Sequence, residues 1–186
     1  MAGRAGPHGP LRRLHALGFT PGLRLGARSL GIALGAGLAF GLFMALADAS
    51  LFSAAVPEVQ HRMLATMDLG LRLRLIAPGV LHDEVLLRFA VLVPLVWMLA
   101  ALRGRVDAAS WWIGIVVVAG VAWPLSARGY LGALDWGGLA FARELVLHGG
   151  AGVLWGWLCW RHGWLAGLCG HFAAHLALQP LLGMWG

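Results

Sequence analysis

Charge is scarce in this sequence, and lysine is absent altogether. Of 186 residues only 12% are charged, and all fourteen basic side chains are Arg, a bias attributed to genome base composition. An average soluble domain is about 25% charged and roughly 45 to 50% apolar. Here 60% of the residues are apolar, which excludes that class and implies an integral membrane protein. One domain is expected at this length. Nucleic acid is excluded as a partner, because the net charge of +6 comes from arginines in short segments between hydrophobic runs and not from one basic face. The two cysteines, Cys159 and Cys169, both fall in apolar runs; they suit small buried side chains and leave the redox compartment open.

Acidic residues are missing from the first 28 positions, which carry Arg4, Arg12, Arg13, Arg24 and Arg28 among Gly and Pro. No small-residue cleavage site follows the first apolar run, so this stretch is expected to be a disordered or surface-lying basic cytoplasmic tail, not a secretory leader. Residues 29–186 are expected to form the membrane domain. A spanning helix needs about 20 apolar residues, and runs at about 29–47, 75–101, 110–127, 138–160 and 164–185 qualify. The predicted fold is therefore all-α: a polytopic transmembrane helix bundle of about five spans. The segment PEVQHRMLATMDLGLRLRL between the first two runs is too polar to span and is patterned for a short interfacial helix.

In the first run, Gly31 and Gly35, then Gly37 and Gly41, are spaced four apart, as close helix contact requires. Trp111, Trp112, Trp136, Trp160, Trp164 and Trp185 fall near the predicted span ends, like interfacial aromatics. The basic tail puts the N-terminus in the cytoplasm, and five spans then bring Arg103, Arg105 and Arg161 to the same inner side, with Arg62, Arg72 and Arg74 outside. The expected location is the inner membrane of a bacterial-type cell, with membrane lipids as surroundings. No internal repeat is visible.

Against this apolar background, HDEVLLRF at 82–89 stands out. A charged side chain at mid-bilayer costs at least ~2.5 to 3.5 kcal/mol on insertion scales, so Asp83, Glu84 and Arg88 must pair, face water, or both. Glu84 and Arg88 are four apart on one helical face, acid first, which suits an internal ion pair; Asp83 lies about 100° away around the helix and is free to point elsewhere. His171 and His175 are also four apart, in CGHFAAHLAL, and His148 follows Glu144 by four in the fourth run. At ~1.5 Å rise per residue, Asp83 lies roughly 12 Å and His148 roughly 15 Å below the outer edge of their spans, and His171 roughly 10 Å above the inner edge. In a core about 30 Å thick one shared polar site is geometrically possible.

Two chemistries fit such a group. A carboxylate beside a neutral imidazole can take a proton from water while a second imidazole holds a developing oxyanion. Asp83, His148, His171 and His175 would equally suffice as zinc ligands. Neither an HExxH nor a GxSxG sequence is present, and the absence of the latter argues against a serine intramembrane protease.

In these residues the chain resembles the CPBP intramembrane protease family, named for CAAX proteases and bacteriocin-processing enzymes. That family carries a Glu-Glu-x-x-x-Arg motif, then Phe-x-x-x-His, then His-x-x-x-Asn or Asp, each on a membrane helix. Here DEVLLR supplies Asp83 and Glu84 at the paired acids and Arg88 at the base, and HFAAH supplies His171, with His175 where Asn or Asp is usual. The resemblance extends over about 75–182, where GVLWGWLCWRHGWLAGLCGHFAAHLAL looks like the family's Gly-rich helix, basic turn and histidine helix.

The second motif departs: Trp123 takes its aromatic position and Ala127 stands where the histidine belongs, so His148 would have to enter the cavity from the next helix. Asp83 is one methylene shorter than the usual Glu, a retreat of ~1.5 Å, and a misplacement of ~1 Å can cost about 10²-fold in rate.

The resemblance implies an endopeptidase, glutamic or metal-dependent, acting on a membrane-associated peptide or protein substrate. Asp83, with His148 or Glu84, would activate water; His171 and His175 would stabilise the oxyanion; Arg88 would fix the acids. No tightly held cofactor is expected, with zinc as the alternative. The rival expectation is a catalytically silent homologue that acts as an interaction, immunity or scaffold protein. A proton-coupled transporter is a weaker third reading, because five spans without repeats suit it poorly.

Overall fold

A computed structural model describes residues 25–182. Most of the expected basic tail, Trp185 and the end of the last apolar run lie outside the described residues. Among those residues the secondary structure is helical and no strand occurs.

Helix α1, Ala27–Ala49, is the first long apolar element. Leu30, Leu34, Leu38, Leu42 and Leu46 recur every four residues and are all exposed. An exposed leucine stripe is the reverse of a soluble helix and identifies the lipid-facing side. The other side is built for close approach. A Cβ on Gly37 would collide with the Gly170 carbonyl, and one on Gly41 with the Ala174 carbonyl, so both glycines let α1 lie against the last helix. Gly31 and Gly35, identical in spacing, meet nothing and face outward.

After a short 3₁₀ turn at Ser53–Ala55 comes α2, Glu58–Thr66, which buries none of its residues. The segment expected to be one interfacial helix breaks at Met67 and Asp68, because the Asp68 carboxylate accepts the Leu71 N–H at 2.8 Å and starts a new helix. This helix, α3, runs Leu69–Arg103 and is 35 residues long. The expected second span was 75–101; the additional N-terminal turns carry Arg72, which is buried at 7% exposure. Gly104, at φ 67, ends the helix in the left-handed conformation that glycine adopts without strain.

Helix α4, Ala108–Ser126, is capped by Asp107, which accepts from the Ser110 N–H and hydroxyl. A short helix α5, Arg128–Leu131, leads to α6, a continuous helix over 138–162. A turn at Gly163 then reverses the chain into α7, Trp164–Leu181. The bundle is all-α and membrane-embedded: α1, α3 and α4 are long and apolar enough to cross a bilayer.

Three of the helices widen into π-helical turns, at Glu84–Leu92, Val118–Ala122 and Leu145–Gly149. Their backbone bonds reach back five residues: Val93 N–H to Arg88 O, Trp123 N–H to Val118 O, and Gly150 N–H to Leu145 O. Pro94 and Pro124 follow the first two; lacking an N–H, each leaves a carbonyl one turn back without its α-helical donor, which lets the helix open.

Three apolar clusters hold the bundle, the smallest of them Ala47, Phe52 and Leu147. One joins α3, α4 and α6 through Leu92, Val96, Trp111, Ile115, Val118 and Cys159; another joins α1, α6 and α7 through Ala33, Trp155, Leu158, Ala166 and Ala174. Trp111, expected at the interface, is 2% exposed and stacks on Trp160 at 5.8 Å, whereas Trp112 and Trp136 are exposed as expected.

Candidate functional site

The π-helical turns of α3 and α6 carry the residues that matter most. Between the helices lies a cavity of about 670 Å³, lined by Asp83, Glu84, Arg88, His148, His171 and His175, so that every sequence-predicted site residue reaches one space. Trp123 of α4 and Ala127, just past its end, line the same cavity.

Glu84, from α3, is 1% exposed. The Trp164 indole N–H bonds its backbone carbonyl at 3.1 Å and ties α3 to the start of α7. Gly167 leaves room for the carboxylate, since a Cβ there would stand 3.2 Å from Oε2. Oε1 lies 3.0 Å from His171 Nδ1. With the Nδ1 proton donated to the carboxylate, His171 keeps a lone pair on Nε2, the form of an imidazole base. Its ring is held between Trp155 at 5.4 Å and His175 at 5.2 Å, both stacked.

Arg88 Nε is 3.7 Å from Glu84 Oε2, so the expected ion pair forms, but beyond hydrogen-bond reach. Asp83 has a different surrounding from its neighbour. Its side chain is 38% exposed and its Oδ1 is 3.4 Å from His82 Nδ1, on its own helix. His175 Nδ1 has no hydrogen-bond partner among the described residues.

A second carboxylate–imidazole pair is formed within α6. His148 Nδ1 lies 2.6 Å from Glu144 Oε2. The contact is a close ion-pair approach and not an aligned hydrogen bond: neither atom has a hydrogen-bond partner among the described residues. The His148 ring stacks on Trp123 at 4.9 Å and meets Tyr130 edge-on at 5.7 Å. A histidine from α6 therefore stands against the α4 wall that Trp123 and Ala127 form, where α4 itself offers no base.

Sequence reasoning missed what lies behind His148. Glu144 Oε1 accepts from the Tyr130 hydroxyl at 3.0 Å and from Arg143 at 2.6 Å. Arg143 grips Asp48 of α1 with two bonds, 2.8 and 2.7 Å, and donates to Gln60 of α2 at 3.0 Å. Gln60 in turn donates to Asp48 at 3.3 Å. Four elements thus meet in one buried network whose single guanidinium serves two carboxylates. Removing one member would leave a buried charge uncompensated. Tyr130 lies outside the spans; burial and then the nearby Glu144 charge push its phenol up from 10 to about 12, so it stays a neutral donor. The same rule that singled out Asp83, Glu84 and Arg88 applies to Arg143 and Glu144, which also sit inside an apolar run.

A zinc ion held by Asp83, His148, His171 and His175 would need at least three of them around one point. Among the described residues no three His, Cys, Asp or Glu side chains are grouped to hold a metal. Compared with known proteins, the chain matches no family model, no curated protein and no solved structure.

Proposed function

We propose that this protein is an intramembrane endopeptidase of the CPBP type, hydrolysing a peptide bond of a membrane-associated substrate in the cavity between α3, α4, α6 and α7. The observation that carries this reading is the pair of carboxylate-oriented imidazoles, Glu84–His171 and Glu144–His148, both facing one cavity in an apolar bundle. Ionisable groups in a membrane are costly, and two such pairs go beyond what holding helices together requires.

In the proposed reaction His171 Nε2 takes a proton from water, with Glu84 stabilising the imidazolium that forms. The resulting hydroxide attacks the substrate carbonyl, and the His148 imidazolium, paired with Glu144, donates its Nε2–H to the negative oxygen. As the carbon–nitrogen bond breaks, the imidazolium of His171 returns its proton to the leaving amine. Asp83, half-exposed at the cavity wall, orients the water, and Arg88 fixes the Glu84 carboxylate in place.

Five crossings of a bacterial-type inner membrane, with the N-terminus inside, complete the reading. Gly37 meets Gly170 and Gly41 meets Ala174, so α1 and α7 run in the same direction, as the first and fifth of five alternating passes do. The rival reading, a catalytically silent homologue acting through membrane interactions, is favoured by Ala127 at the second-motif position and by Asp83, whose one ion-pair contact among the described residues is to His82 on its own helix and not to His148, His171 or His175.

A peptidase assay on purified protein, with His171→Ala, His148→Ala and Asp83→Ala, separates the two. Loss of His171 is expected to lower kcat by roughly 10²- to 10⁴-fold, the usual contribution of a general base. Unchanged turnover in all three variants would remove the mechanism, and no turnover by the parent protein would favour the rival.

A further inference from the structure

Helix α2 forms a wall of the cavity without being packed into the bundle. Val59, Gln60, Met63, Thr66 and the following Met67 recur at the three- and four-residue spacing of one helix face, and all five line the space. Helices α1, α3, α4, α6 and α7 each bury residues, whereas α2 buries none. Its inner face therefore covers the cavity while apolar burial does little to keep it there. The backbone is extended on either side of the helix, at Pro57 and at Met67. Such element-terminal residues are where a hinge can turn.

One side chain ties this helix down. The Gln60 carbonyl accepts from Arg143 at 3.0 Å, and its amide donates to Asp48 at 3.3 Å. Among the described residues no other α2 side chain hydrogen-bonds to another helix. We infer that α2 is a lid on the cavity, hinged at its two ends and latched by Gln60. Closed, it keeps bulk water from the charged pairs inside, where their interactions are stronger for its exclusion; open, it is the entrance. The latch closes on the guanidinium that also serves Glu144, so closure and the placement of that acid beside His148 depend on one group. The inference goes beyond the peptidase reading and does not require it, because the lid governs access whatever reaction takes place behind it.

The test uses the full chain in detergent and reads the entry of a polar reagent. Leu178 lines the cavity from α7 and is 7% exposed, so Leu178→Cys places a thiol behind the lid. Cys169→Ala removes the half-buried native thiol, and Cys159, 2% exposed in the α3–α4–α6 core and outside the cavity, stays as a monitor of general loosening. Labelling by a positively charged methanethiosulfonate is followed by mass spectrometry. Gln60→Met keeps the size of the side chain and removes both latch bonds, while Asp48 and Glu144 keep their bonds to Arg143. It is expected to speed labelling at position 178 by roughly 10- to 100-fold, the value of a hydrogen bond to a charged group, with no change at Cys159. A nine-residue helix is too short to persist on its own, so amide hydrogen exchange over 58–66 should rise by a similar factor in a chain that carries Gln60→Met alone, and exchange in α7 should not.

The assignment is overturned if Gln60→Met leaves labelling at position 178 and exchange in α2 unchanged, or if position 178 and Cys159 accelerate together, which would make Gln60 a brace of the whole bundle. It is equally overturned if, with Gln60 intact, the thiol at position 178 already reacts as fast as in the denatured chain, since the cavity would then stand open past a latched α2. None of these readouts involves turnover, so an inactive protein whose lid opens on loss of Gln60 would remove the peptidase reading and leave the lid in place.

Discussion

Glu84→Gln is the change on which the proposed chemistry depends most directly. The amide has almost the shape of the carboxylate, so the space that Gly167 leaves stays filled and the Trp164 bond to the backbone carbonyl is untouched. Two things are lost. The amide can donate to His171 Nδ1 as readily as accept from it, which moves the imidazole proton to Nε2 and removes the base; the corresponding change in a serine-protease triad lowers kcat by about 10⁴. Arg88, 3% exposed, also loses the charge 3.7 Å from its Nε. Breaking a buried pair from one side costs about 3–5 kcal/mol, and the lower end applies here because the separation exceeds a hydrogen bond. A second variant, Glu84→Gln with Arg88→Met, removes the stranded charge and should recover most of that stability. Turnover and thermal unfolding measured on both variants separate the effects: both are expected to be inactive, and only the single change strongly destabilised. If activity returns along with stability in the double variant, Glu84 is a structural acid and the proposed base is wrong.

Two further outcomes follow from the packing around the site. Tyr130 is the single tyrosine of the chain, so near-ultraviolet absorbance reports its ionisation alone; the midpoint should lie near 12 and not near 10, and Glu144→Gln should bring it down. The folded state holds that proton more tightly than the unfolded chain does, so this contribution to stability is complete below about pH 10 and is lost as pH rises toward about 12. Gly41→Leu would drive a side chain into the Ala174 carbonyl and is expected to cost at least the ~1–3 kcal/mol of an overpacked core, seen as a lowered Tm, whereas Gly35→Leu, facing outward, should change it little.

Apolar length made most of the fold legible. The third run was expected at 110–127 and the helix is Ala108–Ser126; the fourth was expected at 138–160 and the helix ends at 162. A bilayer imposes a minimum span on the sequence, and the charged or capping residues beyond it end the run. Spacing could not distinguish Gly31 and Gly35 from Gly37 and Gly41, because four residues apart places each pair on one face without saying which face meets a neighbour. The π-helical turns left a partial signal in Pro94 and Pro124. The turn at Leu145–Gly149 has no such mark, and it is the one that carries His148.

The six candidate residues were legible because charge inside an apolar run is costly wherever it occurs. Asp48, Gln60 and Tyr130 were not, since each lies at or beyond a helix end, where polar side chains are ordinary. Their significance comes from the fold: α1 ends beside the start of α6, α2 passes across both, and Arg143 then finds Asp48, Glu144 and Gln60 within bonding distance. The same reasoning bears on Ala127. The resemblance to the family motif would place a histidine at Ala127, but a reaction requires an imidazole at a place in space. His148, brought by α6 onto Trp123 and backed by Glu144, stands at that wall. In the proposed mechanism α6 supplies the second histidine, and Arg143 supports it there, because without the guanidinium Asp48 and Glu144 would be two buried acids sharing one corner of the bundle.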